Sequence, residues 1–425
     1  MADTARPSAS SPEEVAAGAR LLSLDLLRGV AVLGILAINI AGFAGPLAGT
    51  ISPALTRAHT LITSPWDNAA FAVSLVLFEG KMRALFSLLF GAGVMLFWQS
   101  AERRGADGDV LQVRRLAWLL GFGFLHYVLL WWGDILFVYA LCGLAALMLR
   151  PLPTRPLVIV ALALFYGWHL WGLFELAPIV RAETALREGH ASAAQAKSVA
   201  AWFEAVRAGI TEDLTEARYP YLELALTKLR ERPFWQVSMT WNIFSETLPL
   251  MLLGMVLVRS GFFDPAKAVK LRLYAGLACG MSGLAFSATF TAWALVHDFP
   301  PVAMEAALSW GLAFPHLLTA MGYASLLIHA TPRLAPTRLG QRLIATGRMA
   351  FSNYIATSLV MTAIFYGWGL GLFARFGPAA QVPFVLLGWA LMLGLSAPFL
   401  RRFRRGPLEW LWRSLVEKRW LHNGF

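Results

Sequence analysis

A histidine and an aspartate beside one tight turn are the residues best suited to acid–base chemistry. His126 lies near the end of an apolar run, and Asp134 follows the turn Trp131-Trp132-Gly133. A histidine held by a carboxylate is a common form of general base. We therefore predict that His126 is the catalytic base and that Asp134, which begins the next helix, orients it. The alternative is that His126 is a hydrogen-bonded packing residue.

Three charged residues interrupt a second apolar run. Glu79 and Arg83 are four residues apart, which would place them on one face of a helix, where they can form an ion pair. Lys81 would point elsewhere and needs its own partner or water. Charge inside a membrane span is costly and is a functional hypothesis by default, so we predict that all three bind substrate. The alternative is a structural ion pair with Lys81 extending to the interface.

The start of the first apolar run also carries polar groups. Asp25 and Arg28 are three residues apart, and Asn39 lies near the end of the run. We predict that these three residues bind substrate as well. The alternative is that Arg28 is a cytoplasmic anchor paired with Asp25, and that Asn39 caps a helix.

Other polar residues in apolar runs are more typical of packing or capping. Glu246 is expected in the first turn of a span, and the remaining residues of this kind are His316, Asn353 and Tyr354. The two cysteines, Cys142 and Cys279, are typical of small buried side chains. No metal site is predicted, and the sequence has no phosphate-loop, nucleophile-elbow or zinc-helix motif.

Composition indicates a multi-pass membrane protein. Of 425 residues, 58% are hydrophobic and only 14% are charged, against about 45–50% and 25% in soluble domains. The formal charge of +11 comes from arginines and lysines in short loops between apolar runs. This positive-inside pattern predicts that both termini are cytoplasmic and that the partner is membrane lipid, with no nucleic acid.

The predicted fold is an all-α polytopic helical bundle. We predict a disordered tail (1–19), a membrane half of five spans (20–176), an extracytoplasmic polar helical insertion (177–242), a second half of five spans (243–405) and a cytoplasmic C-terminal segment (406–425). The insertion is expected to cap the outer face. The ten predicted spans lie near 24–45, 69–99, 113–132, 133–149, 156–176, 243–259, 271–296, 304–330, 349–373 and 382–400.

Six motifs are distributed over residues 20 to 415. They are Ser23 through Gly29 with Asn39, Lys81 through Gly93, His126 through Asp134, Gly254 through Gly261, Gly347 through Ala350 with Asn353-Tyr354, and Gly406 through Arg413. Together they resemble the motifs of the YeiB-like family of bacterial membrane proteins. The resemblance implies the bacterial cytoplasmic (inner) membrane, and a C-terminal half classed as a domain of unknown function.

This resemblance also implies a chemistry. The family is grouped with transmembrane acyltransferases, which include heparan-α-glucosaminide N-acetyltransferases and bacterial O-acetylases, and the shared feature is Leu24-Asp25 with Arg28. It implies an acyl-CoA donor, bound by Arg28 and the basic loops, and a hydroxyl or amine acceptor from the cell envelope or a small molecule. The sequence departs from the O-acetylase pattern at Asn39, where that branch has its catalytic histidine. His59, in the region where the heparan branch has its histidine, does not match that motif.

Two other functions remain open at this stage. The same charges could form the substrate or proton path of a transporter or channel. They could also fix helix packing in a structural or regulatory protein. The oligomeric state is left open.

Overall fold

The computed structural model describes residues 12–424, and this part of the chain is α-helical. Strand pairing within it is limited to two isolated bridges, Ile62 with Phe376 and Phe403 with Gly424. The predicted all-α fold is confirmed.

Residues 12–187 contain eight α-helices and one 3₁₀ turn at Arg57–His59. The helices are α1 (Pro12–Ala44), α2 (Ala48–Ile51), α3 (Pro53–Thr56), α4 (Asp67–Leu77), α5 (Lys81–Glu102), α6 (Gly108–Leu129), α7 (Leu136–Leu149) and α8 (Thr154–Arg187).

The rest of the described chain contains ten α-helices and one π-helical turn at Ala307–Gly311. The helices are α9 (Ala193–Glu216), α10 (Tyr221–Glu231), α11 (Trp235–Arg259), α12 (Val269–Val296), α13 (Pro301–Ala306), α14 (Ala313–Leu334), α15 (Arg338–Arg348), α16 (Ala350–Phe365), α17 (Pro378–Arg402) and α18 (Pro407–Glu417).

The long apolar helices make this a membrane protein. Within residues 12–424, six segments are long and apolar enough to cross a bilayer, and a seventh is a pair bent by 55°. Each of the ten predicted runs contains a helix. That ten segments cross the membrane stays a prediction. The six are Arg20–Ala44, Asp67–Glu102, Thr154–Arg187, Trp235–Arg259, Val269–Val296 and Pro378–Arg402, and the bent pair is Pro301–Gly311 with Ala313–Leu334.

The first helix is longer than the sequence predicts. It begins at Pro12, so the predicted disorder of residues 1–19 is wrong for 12–19, where proline at the first helical position precedes glutamates and alanines that favour helix. Residues 1–11 lie outside the described residues.

The second predicted span is broken in its middle. Helix α4 ends at Leu77 and α5 begins at Lys81, and Gly80 between them has a φ of 69°. A β-carbon at Gly80 would overlap the imidazole of His316 on α14. The break therefore requires glycine twice, for its backbone conformation and for this close approach. Glu79 lies in the break, so its relation to Arg83 is not that of two residues on one helical face.

Helix α11 begins earlier than predicted, at Trp235. The expectation that Glu246 lies in a first turn is therefore wrong, because this residue lies near the middle of the helix. Helix α8 in turn extends to Arg187, beyond the predicted boundary at residue 176. The polar insertion then consists of α9 and α10.

Helices α9 and α10 pack on the ends of three apolar helices. The Asp213 carboxylate accepts a hydrogen bond from the Leu47 amide at 2.9 Å, beyond the end of α1. The Gly367 amide donates to the Ala217 carbonyl at 2.7 Å, just after α16. The Lys228 ammonium donates to the Tyr127 carbonyl at 3.0 Å, in the last turn of α6. The insertion therefore covers the ends of α1, α6 and α16.

We expect Lys228 to make stability depend on pH above neutrality. Burial lowers the pKa of its ammonium from 10.5 to about 8, whereas the unfolded chain keeps the ordinary value. Between pH 8 and 10.5 the unfolded chain therefore binds more protons, so the free energy of unfolding rises with pH, by on the order of 3 kcal/mol. The difference in thermal unfolding temperature between the native protein and Lys228→Met should change across this window. A difference that is constant with pH, as expected for exposed Lys197→Met, would contradict the prediction.

Glycines bring α1 and α15 into backbone contact. A β-carbon at Gly29 would overlap the Leu343 carbonyl oxygen, and one at Gly347 would overlap the Asp25 carbonyl oxygen. Close helix crossings in membranes use small residues in this way. The crossing fixes Asp25 and Arg28 beside the start of α16.

Candidate functional site

His126 and Asp134 form a buried pair. His126 Nδ1 lies 2.9 Å from Asp134 Oδ1, and the two residues are 3% and 1% exposed. They converge because the turn between α6 and α7 reverses the chain direction. Two side chains eight positions apart in sequence are thus joined by one hydrogen bond.

Two further donors hold the Asp134 carboxylate. Its Oδ2 accepts hydrogen bonds from the Phe137 amide at 2.9 Å and from Gln236 Nε2 at 3.2 Å. The first bond places the carboxylate at the start of α7, where the helix dipole favours negative charge. The second ties the pair to α11. With Asp134 fixed in this way, it can orient the imidazole of His126.

The second nitrogen of His126 is buried without a hydrogen-bond partner among the described residues. Beside this imidazole lies Tyr354 of α16, with the ring centroids 5.0 Å apart. The Tyr354 hydroxyl donates to the Gly133 carbonyl and accepts from the Ile135 amide, both at 3.3 Å. Long bonds of this kind are weak. An imidazole with one nitrogen on a carboxylate and the other unpaired has the arrangement of a general base.

A large cavity ends at Tyr354. Its volume is about 990 Å³, at the upper end of the range for small-molecule sites. Ile135, Tyr139 and Tyr354 line the end beside the His126–Asp134 pair, which we call the deep end, and the remaining lining includes segments predicted to be cytoplasmic. We call this the inner cavity. His126 is not among its lining residues and lies behind the ring of Tyr354.

The inner cavity is strongly basic. Three carboxylates, from Asp25, Glu409 and Glu417, face nine arginines, so an anionic ligand is favoured. The arginines are Arg28, Arg104, Arg114, Arg115, Arg348, Arg404, Arg405, Arg413 and Arg419.

The cavity's carboxylates are already engaged within the protein. Asp25 Oδ1 lies 2.9 Å from Arg28 Nη1. Glu417 pairs with Arg413 and Arg419 at 2.9 and 3.0 Å. Because arginines outnumber carboxylates in the lining, a ligand in the inner cavity meets a net positive charge.

Glu409 holds α18 against the start of α16. It accepts hydrogen bonds from the Phe351 amide at 2.8 Å and from the Ser352 amide at 3.0 Å, which are unpaired donors of the first helical turn. Burial raises the pKa of this carboxyl, although the hydrogen bonds from Ser352 act in the opposite direction. Through this contact, α18 forms part of the wall of the inner cavity.

Aromatic rings hold one of the cavity arginines. The Arg115 guanidinium lies 4.9 Å from the ring centroid of Phe97 and 4.7 Å from that of Trp412. The Trp412 indole also donates to the Arg115 carbonyl at 2.9 Å. Stacking fixes the planar guanidinium in a position suited to bidentate phosphate contacts.

A second polar cluster centres on Arg83. Its guanidinium lies 3.1 to 3.2 Å from the Glu246 carboxylate of α11 and 3.5 Å from Glu79 Oε1. The Ser87 hydroxyl lies 2.9 Å from the Arg83 carbonyl and 2.8 Å from the Tyr139 hydroxyl. Polar groups thus continue from Glu79 to the deep end of the inner cavity.

A smaller cavity lies on the opposite face. Its volume is about 260 Å³, and it is lined by parts of α1, α4 and α17 and by the connecting segments around residues 45–63, which include α2 and α3, and 374–378. We call this the outer cavity, because these segments follow the first and ninth predicted spans and, with a cytoplasmic N-terminus, are predicted to be extracytoplasmic. Glu79 is one of its lining residues. Two cavities of different charge therefore approach each other from opposite faces.

Comparison with known proteins identifies the family. The chain is 30% identical over 433 residues to "Uncharacterized protein YxaH" of Bacillus subtilis (strain 168), covering 97% of this chain and 98% of that relative. It is also 30% identical over 409 residues to "Uncharacterized protein YeiB" of Escherichia coli (strain K12), covering 93% and 96%. The chain belongs to the YeiB-like family.

Two further comparisons apply to this YeiB-like protein. A family model described as "Protein of unknown function (DUF418)" matches residues 257–419. "Uncharacterized 39.9 kDa protein in amylase 3'region" of Bacillus acidopullulyticus is 27% identical over 411 residues and covers 96% of each chain. No solved structure matches the chain. The sequence prediction of the family is confirmed.

The predicted binding residues of the YeiB-like chain do not share one cavity. Asp25 and Arg28 line the inner cavity, and Glu79 lines the outer one. Asn39, Lys81 and Arg83 line neither. Asn39 is 14 positions after Asp25 on α1, so it lies about 21 Å further along the helix.

Lys81 is fully buried and bound within the YeiB-like bundle. Its ammonium donates to the Leu75 carbonyl at 2.6 Å, and none of its surface is exposed. This bond satisfies one carbonyl at the end of α4. Lys81 therefore stabilises the break between α4 and α5.

Two site residues of the YeiB-like protein were predicted to have lesser roles. Tyr354 was expected in packing or capping, and Glu246 in a first turn. The carboxylate of Glu246 inside an apolar helix was the available signal, since such a group needs a partner. Among the described residues, no group of three or more histidine, cysteine or acidic side chains could hold a metal ion.

Proposed function

We propose that the protein is a membrane acyltransferase that uses an acyl-CoA donor and a hydroxyl or amine acceptor. The observation that carries the proposal is the arginine-lined inner cavity, which ends at a tyrosine in contact with the buried His126–Asp134 pair. The proposed location is the bacterial cytoplasmic membrane, with the inner cavity open to the cytoplasm.

The charge and size of the inner cavity suit CoA. CoA carries its phosphates on the nucleotide portion, and arginines bind phosphate oxygens through pairs of N–H donors. Nine arginines line the cavity, whereas Ile135, Tyr139 and Tyr354 form its deep end beside the His126–Asp134 pair. The nucleotide would occupy the basic rim, and the thioester would reach the deep end.

In the proposed reaction, the acceptor oxygen or nitrogen bonds to the thioester carbonyl carbon. The carbon–sulfur bond breaks, CoA leaves as the thiolate, and the acceptor proton passes to His126 Nε2. Asp134 then stabilises the imidazolium through Nδ1. Tyr354 lies between this imidazole and the cavity. We therefore propose that the Tyr354 side chain moves aside to admit the reacting groups to His126. Its two 3.3 Å hydrogen bonds oppose such movement only weakly.

Donor binding tests the proposal first. CoA binding to the full chain in nanodiscs should weaken about tenfold in Arg28→Gln, because Arg28 lines the inner cavity. Higher salt should weaken CoA binding to the native protein. The matched control is Arg401→Gln, which removes the same charge from an exposed residue outside the cavity lining.

Transfer itself is measured with acetyl-CoA labelled in the acetyl group, supplied with a mixture of amines and sugars. Label on an acceptor together with CoA release would support the enzyme. Absence of CoA binding to the native protein, or equal binding in Arg28→Gln, would contradict the proposed donor site.

A transporter is the second candidate, and the broken spans favour it. Helices α4 and α5 are interrupted at residues 78–80, and α13 and α14 are bent by 55°. The two interruptions meet where Gly80 contacts His316. Discontinuous helices in membranes often form substrate sites. Accumulation of an anion in proteoliposomes without acyl transfer would favour this candidate.

A further inference from the structure

Of the residues that the structure describes, three ionisable side chains line the outer cavity, and two of them are already engaged. Arg57 makes two hydrogen bonds to the Asp298 carboxylate, at 2.8 and 3.1 Å. Asp67 accepts hydrogen bonds from the amides of Ser64 at 2.8 Å and Ala379 at 2.9 Å. Neither side chain is left to bind a charged ligand.

The third ionisable side chain is Glu79, which has one long ion pair among the described residues and is also attracted by the buried Lys81 ammonium. Its Oε1 lies 3.5 Å from Arg83 Nη1, whereas Arg83 is 3.1 to 3.2 Å from Glu246. The charge of Arg83 is therefore satisfied mainly by Glu246. The Glu79 carboxylate remains able to pair with a positively charged group in the outer cavity.

The helix break brings Glu79 to the outer cavity. The C-terminal end of α4 also reaches the cavity, at Ser74 and Leu75, but its partial negative charge is offset by the Lys81 ammonium, which is buried against the Leu75 carbonyl. Lys81 itself does not line the cavity.

Aromatic rings form one wall of the outer cavity. Phe78 and Trp389 lie edge to face, with centroids 6.3 Å apart. The Trp389 indole is held by a 2.8 Å hydrogen bond to the Leu33 carbonyl. The faces of such rings attract cations. At about 260 Å³, the space fits a small molecule and not a polymer.

We propose that the outer cavity binds a small organic amine in its ammonium form. Glu79 provides the counterion, and Phe78 with Trp389 provides the aromatic wall. The proposal rests on the outer cavity alone and does not depend on acyl transfer.

Equilibrium binding of radiolabelled phenethylamine tests the proposal, using the full chain in nanodiscs without acyl-CoA. Two competitors of similar size separate charge from shape, namely neutral 2-phenylethanol and anionic 3-phenylpropionate. We expect unlabelled phenethylamine to displace the label best and 3-phenylpropionate not to displace it. Lack of phenethylamine binding, or equal competition by the anion, would overturn the proposal.

Charge variants locate the site. Glu79→Gln should weaken phenethylamine binding about tenfold or more, whereas Glu79→Asp, which keeps the charge, should bind within a few-fold of the native protein. Glu175→Gln removes the same charge from an exposed position on α8 and should have no effect. Unchanged binding in Glu79→Gln, or equal loss in Glu79→Asp, would exclude Glu79 as the counterion. The competition experiment and the binding measurements on these variants are both independent of any acyl-transfer assay.

Discussion

His126→Ala should lower the rate of acyl transfer by about a hundred- to ten-thousandfold, which is the usual contribution of a positioned general base. CoA affinity should stay unchanged, because His126 does not line the inner cavity. The measurement combines single-turnover transfer from labelled acetyl-CoA with equilibrium CoA binding. Asp134→Asn should also slow transfer, since an amide cannot stabilise the imidazolium and can select the wrong tautomer.

A buried histidine outside the site provides the control. His169 is 6% exposed and hydrogen-bonds through Nδ1 to the Phe165 carbonyl at 2.6 Å. His169→Ala should therefore leave transfer within a few-fold of the native rate. Full activity in His126→Ala would remove this residue from the mechanism, even if CoA binds as proposed.

Arg83→Met should destabilise the protein by about 3–5 kcal/mol. The substitution leaves Glu246 and Glu79 without their cation at a largely enclosed position, where the Glu246 side chain is 11% exposed. The free energy of unfolding can be measured in bicelles by steric trapping. Arg83→Met combined with Glu246→Gln should recover much of this loss, because the double variant no longer buries an unpaired Glu246.

An exposed ion pair gives the matched comparison. Arg57 and Asp298 lie 2.8 Å apart, with side chains 51% and 54% exposed. Arg57→Met should therefore cost less than about 1 kcal/mol. Equal losses in Arg57→Met and Arg83→Met, or no recovery in the double variant, would contradict a stabilising role for the Arg83–Glu246 pair.

Hydropathy predicts the helical architecture because a lipid-exposed backbone must satisfy its own hydrogen bonds. The same reasoning identifies Glu79, Arg83 and Asp25 as unusual, because charge in an apolar run is costly wherever it occurs. Spacing within one turn also anticipates the pair His126 and Asp134. These features depend on local sequence and are readable from it.

Contacts between distant segments are not readable in this way. Glu246 is 163 residues from Arg83 in sequence, and the first-turn interpretation failed because α11 begins at Trp235. The break at Gly80 depends on the approach of His316 from α14. Tyr354 becomes part of the site only because α16 packs beside α6 and α7. Each result depends on tertiary packing, which overrides local pattern.

The placement of the two cavities on opposite faces has a consequence for an energised cell. With the arginine-lined face in the cytoplasm, as the loops predict, the inside-negative membrane potential drives an anion from the cytoplasm into the inner cavity. It also drives a cation from outside towards Glu79. Each elementary charge that crosses the full field gains about 2.3 kcal/mol per 100 mV. Occupancy of both cavities should therefore fall together when the membrane is depolarised, even if ligand concentrations do not change.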